Sequence, residues 1–265
     1  MSDQSKPNGI LFAEERKIAI VQYIDKHKKL KVNELCEIFN VSPATIRNDL
    51  TELQNAGLLK RTHGGAIPNS KAKFELDSYQ KTVENVDQKK AIAKKALEWV
   101  EDGDAIAIDT GTTMLCFAEL IAAKKNLTIV TNDIEIAGVL EDKTDSNIIL
   151  MGGNIRKGFH CCVGHIALKC IEGLTVDKAF IATNSISATH GLSTPNLDNA
   201  QIKKMMIKMS NQVILLCDSK KFGRTSFVKF ADVSDLETII TDSGLTNQQK
   251  KEFDQLDVCL EVVPV

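Results

Sequence analysis

Val41-Ser42-Pro43-Ala44-Thr45-Ile46-Arg47-Asn48-Asp49-Leu50 is the stretch on which the reading of this chain turns. Ser42 is a good N-cap acceptor and Pro43 suits the first helical position, where no amide donor is required. Val41 and Ile46 have the spacing of a hydrophobic staple. A helix therefore starts here. At about 100° per residue, Ile46, Leu50 and Leu53 fall on one narrow face, and Ala44, Asn48, Thr51 and Asn55 on the opposite one, with Arg47 on a flank. One face packs. The other presents amides, a hydroxyl and a guanidinium near the helix start, groups that hydrogen-bond base edges or phosphates in a major groove. A merely solvated face has the same pattern, so periodicity alone leaves both readings open.

Upstream, Ile18, Val21 and Ile24 recur at helical spacing between Glu14 and Lys28, and Leu35, Ile38 and Phe39 mark a second, shorter helix. Downstream, Gly57 is a C-terminal stop. In 58–67 the Gly64-Gly65 pair suits a tight hairpin with Lys60, Arg61 and His63 near its tip. Helices followed by a hairpin predict a winged helix-turn-helix over 1–67. Ser42, Thr45, Arg47, Asn48 and Thr51 would then reach the groove or its phosphates, with Lys60, Arg61 and His63 on the DNA backbone or minor groove. Residues 68–86 have mixed charge, no sustained apolar period and no glycine, which predicts a linker with one extended segment near 74–79.

From 87 to 265 the pattern changes. A helix over 89–100 is followed by short, β-branched runs at 105–108, 127–130, 147–151, 178–182, 212–217, 237–241 and 258–263. Helical stretches separate them, which predicts parallel strands covered on both faces and an α/β layered domain. The whole is an α+β two-domain chain, in keeping with a length of 265 residues against about 150 per domain.

Composition supports this division. A chain 43% hydrophobic and 26% charged is ordinary for a globular protein, which excludes wholesale disorder and fibrous classes. Residues 1–75 carry 12 Lys+Arg against 9 Asp+Glu and the remainder 21 against 26, a mildly basic head on an acidic body. No apolar run approaches the roughly 18 residues of a membrane span, and Met1 to Gly9 lacks an export-signal core. A cytoplasmic protein without a membrane partner is expected. Seven cysteines without a CxxC pair give no support to a disulfide framework or zinc ribbon.

The residues just beyond the predicted strands are polar. Asp109-Thr110-Gly111-Thr112-Thr113 comes after the first, Thr131-Asn132-Asp133 after the second, and Gly152-Gly153-Asn154 with Arg156 after the third. Thr183-Asn184-Ser185 comes after the fourth, Asp218 with Lys220-Lys221 after the fifth, and Asp242 after the sixth. Carboxyl ends of strands are where α/β sheets place ligands, so a polar ligand is expected. At Gly111-Thr112-Thr113, helix-start amides, a residue without Cβ and two hydroxyls can converge on an anion such as a phosphate, neutralised by Arg156 and Lys221. Ordinary strand-to-helix turns favour Gly and Thr too, and lysines are usually solvated.

The motifs "VNELCEIFNVSPATIRNDL", "NAGLLKR" and "THGGAI" resemble the N-terminal domain of DeoR-type repressors of sugar operons. The segments "DTGTT", "VTN", "MGG" with Arg156, "VGHIA", "DKAFIATNSIS", "GLSTPN", "KKFG" and "IITD" resemble their sensor domain. The family pattern has arginine at the position of Asn48 and glutamate at that of Gln201. The resemblance implies a sensor fold similar to ribose-5-phosphate isomerase and glucosamine-6-phosphate deaminase. It also implies an effector that is a phosphorylated sugar, held by Asp109, Gly111, Thr112, Thr113, Thr131, Asn132, Gly152, Gly153, Arg156, Asn184, Gln201 and Lys221. No cofactor or metal is expected.

Two other functions compete with this one. An isomerase- or deaminase-like enzyme would need a positioned base, for which Asp109 and Asp242 are the available carboxylates, yet nothing marks either as a paired site. A metal or redox sensor would use His160-Cys161-Cys162 with His165, but adjacent cysteines do not both face one tetrahedral metal comfortably. Met205, Met206 and Met209 read as core filler, and Lys203-Lys204 as a wet face. The expected function is a non-enzymatic repressor of a carbohydrate operon. It would bind double-stranded operator DNA as a homo-oligomer, dimer or tetramer, with affinity set by a sugar phosphate.

Overall fold

The computed structural model describes residues 12–68 and 75–265, which divide into two units, Met1–Leu76 and Asp77–Val265. The smaller contains α1 (Ala13–His27), β1 (Leu30–Lys31), α2 (Val32–Phe39), α3 (Pro43–Asn55), β2 (Leu59–Thr62) and β3 (Gly65–Pro68). At the start of α3, Ser42 Oγ accepts from the Thr45 amide at 3.1 Å and Pro43 fills the first turn. The helix closes where Leu58 N–H donates to the Leu53 carbonyl at 2.8 Å. Its inner face buries Ile46, Leu50 and Leu53 against Ile20 and Ile24 of α1 and Leu35 of α2. Val41 packs at the edge of this core.

The hairpin forms with His63 and Gly64 as its turn, and β3 pairs on its other side with β1. Gly65 is required there: a Cβ would collide with the carbonyl of Leu30. Two residues of β1 are too short to register as a pattern, which is why only two strands were expected.

The larger unit runs α4 (Ser78–Thr82), α5 (Val86–Ala96), β4 (Ala105–Ile108), α6 (Thr112–Leu120), β5 (Thr128–Thr131), α7 (Ile134–Lys143), β6 (Asn147–Leu150), β7 (Asn154–Arg156), β8 (Cys161–Val163), α8 (His165–Cys170), β9 (Val176–Ile181), β10 (Ser185–Ser187), β11 (Gly191–Thr194), α9 (Leu197–Lys208), β12 (Ser210–Leu216), β13 (Val228–Ala231), β14 (Thr238–Asp242), α10 (Asn247–Asp254) and β15 (Cys259–Val263). Of the extended segment expected at 74–79, residue 74 lies outside the described residues. From Ser78 the chain is instead helical, because Asp77 caps α4 by accepting from the Gln80 amide at 2.8 Å while Gln80 reaches back to the Asp77 amide.

All seven apolar runs are strands of one parallel sheet, ordered β15-β14-β12-β9-β4-β5-β6. Alternation along β4 distributes its residues between two cores. Ile106 and Ile108 pack with α5 and α6, and Ala107 with the opposite face. The strand order reverses between β4 and β9, the kind of point at which crossover helices diverge and parallel sheets form ligand crevices at their carboxyl ends. A β7–β8 hairpin and an antiparallel sheet β10-β11-β13 cover this end of the domain.

Candidate functional site

On the smaller unit, Arg47 and Asn48 stand exposed on the outer face of α3, and Lys60 and His63 on the hairpin. Ser42 and Thr45 share a hydroxyl hydrogen bond of 2.9 Å at the helix start. Thr51 is already engaged. Its hydroxyl donates to the Arg47 carbonyl at 2.7 Å and accepts from Arg61 Nη1 at 2.6 Å, while Gln54 Oε1 accepts from the Arg61 amide at 3.0 Å. Thr51 and Arg61 therefore join hairpin to helix, while Arg47, Asn48, Lys60 and His63 remain exposed beside that junction. Beneath them, Asp49 is buried and receives a forked bond from Arg16 of α1, at 2.7 and 3.2 Å, which holds the guanidinium above its ordinary pKa.

In the larger unit, the crevice between β4 and β9 is occupied by a buried ion pair. Lys203 of α9, 3% exposed, donates to Asp109 Oδ2 and to the Ala182 carbonyl at 2.9 Å. The same carboxylate oxygen accepts from the Ala182 amide at 2.9 Å. Asp109 Oδ1, also buried, has no hydrogen-bond partner among the described residues. Lys203 was expected on a wet face with Lys204. Only Lys204 is exposed, because Lys203 lies in phase with the buried Asn199, Ile202 and Met206 of α9. Gln201, expected beside the ligand, falls on the exposed side of that helix.

Gly111 has φ +139°, a conformation that side chains disfavour, and it begins α6 without a side-chain cap. The first-turn amides beside Thr112 and the buried Thr113 are thus left for another acceptor. Thr110 Oγ1 donates to Asp133 at 2.6 Å, and burial raises the pKa of that carboxyl, which also caps α7. Thr131 and Asn132 are fully buried. Asn132 Nδ2 donates to the Cys162 carbonyl at 3.0 Å, Oδ1 has no partner among the described residues, and Thr131 Oγ1 accepts from the Asp133 amide at 3.2 Å. Gly152 and Gly153 form the turn into β7, and the Arg156 guanidinium stacks on Phe159 at 3.6 Å. Asn184 accepts from Thr194 Oγ1 at 2.9 Å. Asp242 is taken up by Ser219 and Gly244, at 2.7 to 2.9 Å.

Lys221 pairs loosely with Asp218 at 3.7 Å. Near it lies a second lysine that was not expected: Lys89 of α5, 5% exposed. Burial, reinforced by the Lys221 charge, lowers its pKa to about 8. Like Lys203, it sits in phase with an apolar stripe, here Ile92, Ala93 and Ala96. A lysine on the packed side of a helix is the signal by which both are found. Cys161 and Cys162 are buried and their pKa values raised, that of Cys161 to about 11, so they stay protonated thiols. A cleft of about 540 Å³ lies at the opposite, amino end of β5 and β6, lined by solvated charges such as Lys124, Lys125 and Asp145. Among the described residues no helix is long and apolar enough to cross a membrane.

Residues 16–72 match the model of the DeoR-like helix-turn-helix domain, and 84–243 that of the DeoR C terminal sensor domain. The chain is 35% identical over 244 residues to the HTH-type transcriptional regulator GlpR of Haloferax volcanii, covering 92% of this chain and 95% of that protein. It is 33% identical over 240 residues to the HTH-type transcriptional repressor GlcR of Bacillus subtilis, covering 90% and 91%. Ribose 5-phosphate isomerase A of Methanocaldococcus jannaschii aligns at 18% identity and TM-score 0.40, over 52% of this chain and 55% of that one.

Proposed function

The chain belongs to the DeoR family of transcriptional regulators, with a helix-turn-helix domain and a sensor domain, and from that premise we propose that it represses a carbohydrate operon under control of a phosphorylated sugar. The observation that carries the effector reading is the polar cluster at the strand-order reversal. It combines uncapped helix amides at Gly111-Thr112-Thr113, the cations Lys221 and Lys89, and the bare acceptors Asp109 Oδ1 and Asn132 Oδ1. Amides and cations suit a phosphoryl group, and the two acceptors suit sugar hydroxyls. Asp242 is held by Ser219 and Gly244, and Asp109 is held on one oxygen by Lys203 and Ala182, which argues against either carboxylate as the base of an isomerase.

On DNA, Arg47 and Asn48 read the major groove while Lys60 and His63 meet the backbone. One winged helix buries too little surface for specific binding at physiological salt, so a homo-oligomer reads repeated half-sites. The test is a titration of duplexes from the chain's own promoter region with and without a panel of sugar phosphates. Binding should be specific and shift with at least one sugar phosphate. Thr112→Val with Lys221→Met should retain DNA binding and lose the shift. Binding to none of these duplexes, or turnover of ribose 5-phosphate above blank, would overturn the proposal.

A further inference from the structure

The first helix of the sensor unit is fastened to the effector crevice at both ends. At its start, the Ser78 amide donates to the Gly158 carbonyl at 2.8 Å, in the β7–β8 turn, and the Lys81 ammonium lies 5.3 Å over the ring of Phe159. At its end, the Lys81 carbonyl accepts from Lys89 Nζ. Just beyond, Lys220 Nζ donates to Asn85 Oδ1 at 2.6 Å, immediately before α5 begins. The β7–β8 turn and the Lys89 side chain of α5 thus join the helix's own Asp77–Gln80 cap in holding α4.

Lys89 is the unusual member. Among the described residues no carboxylate comes within ion-pair distance of it. Glu84 and Asp218 attract it from further away, Lys221 repels it, and Cys116 faces it from α6. A buried ammonium whose hydrogen-bond partner is a neutral carbonyl, with another cation close by, is electrostatically incomplete. It lacks an anion. The side it shares with Lys221 and α6 is the side on which a phosphoryl group would rest, and a charged acceptor holds an ammonium more strongly than a carbonyl does.

Resting on the reading of the crevice as a phosphate site, we infer that Lys89 is both a ligand of the effector's phosphoryl group and the latch of α4. An arriving phosphoryl dianion draws the ammonium off the Lys81 carbonyl, and the last turn of α4 loosens. In chain order α4 is the first element of the sensor unit. The effector thereby favours a loosened α4 over a fastened one, and a difference in affinity between two arrangements is what coupling between sites requires.

Hydrogen exchange of the full chain, followed by mass spectrometry over 77–85, tests this. The probes are fructose 1-phosphate, fructose 6-phosphate and glucose 6-phosphate, with inorganic phosphate as the phosphoryl-only arm. Any probe that raises the melting temperature should speed exchange in α4 at least fivefold. Lys89→Met should show fast α4 exchange without ligand and bind the same probe at least tenfold more weakly, with Lys89→Arg restoring binding. Thr112→Val with Lys221→Met should lose binding and keep slow α4 exchange. If a probe binds the wild type and leaves α4 exchange unchanged or slower, the latch is wrong while the phosphate site stands, a result that needs no variant. Undiminished binding by Lys89→Met also overturns it. If no probe raises the melting temperature, the phosphate site falls and the latch with it.

Discussion

Buried charge is handled in opposite ways in the two units. In the winged helix, Asp49 is met by a forked guanidinium from Arg16, and both of its oxygens are used. In the sensor, among the described residues, Asp109 is locked on one oxygen and bare on the other, and Lys89 is buried with no carboxylate at ion-pair range. Complete pairing describes a part that fastens helices together. Incomplete pairing is what the proposed effector would complete, since a buried charge without a partner carries an uncompensated desolvation cost.

The sharpest way to break this contrast is to remove Lys203. Lys203→Met should destabilise the sensor unit by about 3–5 kcal/mol, because it strands a buried carboxylate. Adding Asp109→Asn should recover most of that loss, and thermal denaturation of the single and double variants will measure both. In the other unit, Asp49→Ala should cost about 2–3 kcal/mol by leaving a mostly buried guanidinium without its partner. Denaturant unfolding should show this loss with no change in sugar-phosphate binding.

A smaller effect separates Lys89 from both pairs. Its folded pKa, about 8, lies below the ordinary 10.5, so between those values the unfolded chain holds a proton that the folded one does not. Stability of the sensor unit should therefore rise with pH across that window, by roughly 1 kcal/mol per unit, and Lys89→Met should flatten the slope. Unfolding melts at stepped pH report it. Smallest is Ser42→Ala, which removes the cap of α3 at about 1 kcal/mol and should weaken binding to specific and random duplexes alike. Loss confined to the specific duplex would instead make Ser42 a reader of bases.

The seven parallel strands were legible because each is a nearly continuous β-branched run, and the α3 boundary because Ser42 and Pro43 have few other uses together. The strands β7, β8, β10, β11 and β13 were not, since three or four residues such as Ser185-Ile186-Ser187 hold too little alternation to stand out. The polar residues at the strand ends, where the proposed site lies, were visible in the sequence. Its electrostatic centre was hidden, because residue type alone assigns Lys89 and Lys203 to solvent. Their phase against Ile92 and Ile202 says otherwise. Thr131 and Asn132 stand out as polar in the sequence, yet their polarity is spent largely on holding the neighbouring backbone, a demand that only the folded geometry reveals.

The bonds from Arg61 to Thr51 and from its amide to Gln54 make wing and recognition helix a single rigid tool. Re-targeting this protein to a foreign promoter is therefore a matter of grafting 42–68, recognition helix and whole hairpin, as one cassette. A helix exchanged by itself would inherit a wing set for someone else's groove.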